Sequence, residues 1–133
     1  MKYTDRQRIC KIYENADKLQ LYITENKIEK EDLLNNYALQ WLVTTPLYNI
    51  GEHAYHLSEQ YKDSHDWIQW KMIEGLRHRL VHDYDGTNWF IIADVVFIEI
   101  PVLLEQLKSL LESGDFDKVE TASTVDRFKT KRG

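Results

Sequence analysis

The chain has one cysteine, two prolines and five glycines in 133 residues, and each scarcity excludes something. Cys10 alone cannot form an intramolecular disulfide, which fits a reducing compartment. So few turn-forming residues argue against a sandwich or barrel of many short strands. No glycine-rich phosphate loop, paired-cysteine motif or serine–histidine–aspartate order stands out. Long apolar runs are missing too. The longest, Trp89 to Leu104, is interrupted by Asp94, Glu99 and Pro101, and is too short and too charged to span a bilayer. The opening residues MKYTDRQRIC lack the apolar stretch of a signal peptide, so a cytoplasmic protein without a membrane anchor is expected. Positive charge is in deficit: 17 Lys and Arg against 22 Asp and Glu leave a net charge of −5. A broad surface that tracks nucleic-acid phosphates would need a basic excess. A small basic cleft would not.

What is present is helical periodicity. Ile9, Ile12, Ala16, Leu19 and Ile23 recur at three- and four-residue spacing, predicting a helix from about Thr4 to Asn26, capped by Thr4 or Asp5. A second helical stretch runs from about Glu31 to Tyr61, with a kink or break expected near Thr44–Pro46. A third starts near Ser64–Asp66 and ends near Tyr84–Asp85, before the stop signal Asp85-Gly86-Thr87-Asn88. A fourth runs from about Asn88 to Glu112, bent at Pro101 and apolar on more than one side. That surplus suggests an oligomer interface. The expected fold is all-α, an up-and-down bundle of four to five helices that forms a dimer. Residues 1–114 form its single domain and 115–133 a flexible polar tail.

The most informative segment is GLRHRLVHDYDG, in which Arg77, His82 and Tyr84 form R-x4-H-x-Y. On a helical wheel Arg77 falls within an apolar stripe of Trp67, Trp70, Ile73, Leu80 and Val81. A guanidinium there is costly unless it is paired or faces a cleft. His82 lies well round the helix from Arg77, so the two converge only if the helix distorts or a second copy completes the site. The pair suits phosphodiester cleavage without a metal or other cofactor. Histidine exchanges protons with the 2′-hydroxyl and the 5′-oxygen leaving group, while arginine grips the phosphate. The plain alternative is a structural Arg77 paired with a carboxylate such as Glu74.

Other groupings carry less. His53 and His56 with Glu52 would need a third ligand to hold a metal. His65-Asp66 reads as a helix start. Tyr48, Tyr55, Trp41, Trp67 and Trp70 suit core and interface packing better than base stacking. Lys71, Arg77, His78 and Arg79 make a small basic patch.

From Trp70 to Tyr84, and on through DGTNWFIIADVVFIEIPVLLEQL, the chain resembles the HEPN superfamily, in particular its HepT branch of toxin–antitoxin toxins. His78 fits the polar slot after the motif arginine, and Asp83-Tyr84 the aspartate-tyrosine pair. IGEHAYHLSE is similar to the branch's helix-two segment, and Pro101 matches a late proline. The resemblance spans about residues 4–112. It implies a dimer that brings two motifs into one cleft, and metal-independent RNA cleavage by Arg77 and His82. Glu52 matches an acidic position near the motif, so Glu52 and His78 are expected to support the pair. A minimal nucleotidyltransferase antitoxin of the MntA type is implied as partner, able to transfer AMP to Tyr84. The acidic balance departs from a self-sufficient RNA-binding enzyme. Two other classes therefore stay open: a non-catalytic HEPN subunit that binds nucleotide or scaffolds a nucleotidyltransferase complex, and a plain helical dimerisation module.

Overall fold

The computed structural model describes residues 2–82 and 86–113, with backbone alone for 81 and 82. Expectations for Asp83, Tyr84, Asp85 and the segment 114–133, including the domain boundary and the tail, lie outside the described residues. The described fold is an all-α bundle without strands.

Helix α1 (Asp5–Glu25) begins where the sequence predicts. Thr4 Oγ1 accepts from Gln7 N at 3.1 Å and Gln7 Oε1 accepts from Thr4 N at 2.9 Å, so each end of this box satisfies an orphan amide. Its buried face is the expected one: Ile9, Ile12, Ala16, Leu19 and Ile23, joined by Tyr13. Each fully buried isoleucine contributes about 1.5–3 kcal/mol of transfer free energy.

The second predicted helix is three pieces: α2 (Lys30–Asn35), α3 (Tyr37–Tyr55) and α4 (Glu59–Ser64). The break expected at Pro46 falls instead at Asn36. That residue is extended, and its side chain caps α3 by accepting from Ala38 N and Leu39 N. Pro46 lies inside an uninterrupted α3. A proline forfeits one backbone bond there, and Val43, Leu47 and Ile50, all buried on the same helix, outweigh that loss.

Helix α5 (Trp70–His82) starts later than predicted. His65 and Asp66 are not a helix start but part of the turn before it. There the His65 carbonyl accepts from Ile68 N at 3.1 Å and from Trp70 Nε1 at 2.9 Å. The last run is α6 (Trp89–Asp94), a π-helical turn (Val95–Glu99) and α7 (Ile100–Ser113), continuous in helical backbone. The expected disturbance at Pro101 takes this form. Proline cannot donate to the carbonyl four residues back, and just before it Ile100 N–H reaches five residues back to Val95.

Packing joins α3 to α5, α1 to α3 and α1 to α7. Cross-links between residues 5 and 58, 8 and 53, and 15 and 49 show that α1 and α3 run antiparallel. One core unites them, with Ile9, Ile12, Leu47, Ile50, Ile73, Leu76, Ile92 and Leu107 at its centre. No described helix is long and apolar enough to cross a membrane.

Candidate functional site

The site begins with the run Ile50-Gly51-Glu52 on α3, where each residue has a separate task. Ile50 is fully buried in the core. At Gly51 α3 comes very near α5: a Cβ there would sit 2.7 Å from the backbone nitrogen of Arg77 and 3.1 Å from the carbonyl oxygen of Ile73. Only a residue without a side chain lets the two backbones come so near. Glu52, the next residue, then meets Arg77, its Oε1 accepting from Arg77 Nε at 2.7 Å.

Arg77 does not sit within the apolar stripe, as the helical wheel suggests. Trp70, Ile73, Leu76 and Leu80 form that stripe, while Trp67 precedes α5 and is exposed. Arg77 lies at its edge with 35 % of its side chain accessible. Its partner is Glu52 rather than Glu74, whose carboxylate bonds the buried Lys62 at 3.0 Å. The guanidinium carbon also lies 4.2 Å from the centre of the Tyr55 ring. Arg77 is thus held through Nε and one face. Nη1 and Nη2 have no hydrogen-bond partner among the described residues.

Glu52 bonds a second group, its Oε2 lying 3.1 Å from His56 Nε2. Burial alone would raise the Glu52 carboxyl. The hydrogen bonds and charges of Arg77 and His56 outweigh it and hold the group below its ordinary value of 4.5. The Glu52 hydrogen bond likewise pushes the Arg77 guanidinium upward, so this cation persists at any working pH.

His82 closes α5 five residues beyond Arg77, and its ring lies outside the described side chains. Tyr84 lies outside the described residues altogether. Lys71, His78 and Arg79 are exposed along α5. The histidines weighed as metal ligands part company: His53 Nδ1 turns to Arg8 Nη1 at 3.2 Å, while His56 turns to Glu52. Among the described residues no three potential ligands converge. Of the aromatics expected in core or interface packing, Trp70 is buried in the core, while Trp41, Tyr55 and Trp67 keep about half or more of their surface exposed. Spacing grouped His56 with Glu52, and the two do meet, but it missed Tyr55 as the support of Arg77. The i, i+3 step from Glu52 was the available signal.

Chemically, this is a buttressed arginine whose terminal nitrogens can take two oxygens of one anion, on a helix that ends in histidine. Comparison with known proteins places the chain in a family. The family model described as "Ribonuclease HepT-like" matches residues 12–110. A protein of Caldanaerobacter subterraneus subsp. tengcongensis named "Putative RNase TTE0752" is 34% identical over 85 residues, 64% of this chain and 76% of that one. One of Methanocaldococcus jannaschii named "Putative RNase MJ1216" is 25% identical over 85 residues, 64% of this chain and 70% of that one. No solved structure gives a significant match.

Proposed function

The chain belongs to the HepT-like ribonuclease family, and from that premise we propose that it is a toxin that cleaves RNA without a metal, using Arg77 and His82. The observation that carries this reading is the grip on Arg77: Glu52 at Nε and Tyr55 beneath the plane leave the terminal nitrogens for a phosphate. A neutral histidine takes the proton of the 2′-hydroxyl, whose oxygen attacks phosphorus. A protonated histidine gives a proton to the departing 5′-oxygen. Arg77 stabilises the charge that builds on the phosphate oxygens. The products are a 2′,3′-cyclic phosphate and a 5′-hydroxyl. A cleft shared by two copies of the chain supplies both histidines, one in each state. Glu52 is a positioning residue for Arg77, and His78 is a neighbouring support.

In this reading the partner is a nucleotidyltransferase antitoxin of the MntA type, and both proteins act in the cytoplasm. The Tyr84 hydroxyl attacks the α-phosphorus of ATP, pyrophosphate leaves, and the adenylate blocks RNA entry beside the motif. The decisive assay is cleavage of end-labelled RNA in EDTA, with Tyr84 shown bare by intact mass. Arg77→Ala and His82→Ala are each expected to lower the rate at least a hundredfold, by about 2.7 kcal/mol or more of barrier. Cleavage retained by both variants overturns the assignment. An inactive, unmodified wild type on several RNAs favours the non-catalytic scaffolding subunit.

A further inference from the structure

Among the described residues, Arg8 on α1 is held without a counter-ion. Its Nη1 is 3.2 Å from His53 Nδ1, and its guanidinium carbon lies 5.2 Å from the centre of the Tyr3 ring. Tyr3 in turn meets His53 edge-on at 5.2 Å. Neither neighbour is an anion. No carboxylate among the described residues pairs with Arg8, and those on the adjoining segments are engaged elsewhere. Asp5 binds Ser58 N at 2.9 Å and Oγ at 2.6 Å, Glu14 lies 3.7 Å from Lys18, and Glu52 holds Arg77 and His56. Burial, then the charges of Arg8 and Lys11, push His53 below its ordinary value against the pull of Glu52. It therefore stays neutral and accepts from Arg8.

Lys11 stands three residues after Arg8, on the same side of α1, and is exposed. The last turns of α3 join this cluster to the first one: Glu52 takes Arg77 and the next residue, His53, takes Arg8. A fixed guanidinium and a nearby ammonium with no anion of their own among the described residues make a local positive field on a chain of net charge −5. The planar fork of an arginine suits a phosphate diester.

We propose that Arg8 and Lys11 form a second phosphate subsite beside Arg77, binding the backbone phosphate of a nucleotide that flanks the cleaved bond. This rests on the ribonuclease reading for its substrate, and it extends the RNA path from α5 across α3 to α1. The test is fluorescence-anisotropy binding of a short, fully 2′-O-methylated RNA strand, which cannot be cleaved, to the full chain across a salt series. Arg8→Gln is expected to weaken binding about tenfold at low salt and to lower the slope of log affinity against log salt by about 0.7, the value for one phosphate contact on a single strand. Lys11→Gln should lower the slope similarly with a smaller loss. If Arg8→Gln fails to fold by circular dichroism, Lys11→Gln at its exposed position decides. Unchanged affinity and slope in the folded variants overturn the subsite, and so does a wild type that does not bind the strand. A wild type that binds the strand with these variant effects but cleaves no RNA upholds the subsite while the ribonuclease reading fails.

Discussion

Glu52 serves two partners with one carboxylate, so its protonation weakens both contacts at once. Its folded-state value lies below 4.5, where an unfolded glutamate titrates. The stability it lends is therefore present above 4.5 and lost as pH falls through the lower folded value. In urea unfolding from neutral to acid pH, wild type should lose midpoint more steeply below pH 4.5 than Glu52→Gln. Parallel curves would sink this account. The same residue shows what was legible at this scale. Position 52 was marked by resemblance, yet spacing within α5 nominated Glu74 as the partner of Arg77. Pairing between helices depends on where they cross, and Gly51 sets that crossing. Local periodicity holds no record of it.

Helix boundaries divide along similar lines. The capped start of α1 and its buried face were readable because both are local: a threonine with a glutamine three residues on, then a regular apolar stripe. Pro46 misled. Its backbone penalty is local, but buried neighbours spread along the whole of α3 carry it, and the break went to Asn36, which caps the next helix. Pro46→Ala should restore a backbone bond without changing the path of the helix. The expected gain is about 1–2 kcal/mol after the loss of proline's restraint on the unfolded chain, read as a higher melting midpoint. A lower midpoint would mean that the ring's packing matters more than the missing bond. Pro101 was read as a bend, and its realisation as a π-helical turn was beyond periodicity, because that turn shifts the register of every later side chain.

At the scale of the whole molecule, the bundle and its core follow from the apolar pattern, while the use of its outer surface does not. Phe90, Ile98 and Val102 are each more than half exposed on the run from α6 to α7, and Ile98 and Val102 share one side. Such a run suits an interface, and a second copy of the chain is the cover we expect. Ile98→Lys should convert a dimer to a monomer in sedimentation equilibrium and reduce RNA cleavage with it, since the proposed cleft needs two chains. A wild type that sediments as a monomer would remove that cover, and the shared cleft with it. The surplus of apolar residues announced such a surface in the sequence. Its position emerged only once the core had claimed the other faces.

The tight contact at Gly51 has a genetic consequence. Every missense change of a glycine codon installs a Cβ, and at this position any Cβ collides with the backbone of Arg77. If expression of the chain arrests growth, survivors need not lose the arginine or the histidine. One base change at a residue with no functional group is then expected among them, because it forces α3 and α5 apart beside the Glu52–Arg77 pair on which the proposed activity rests.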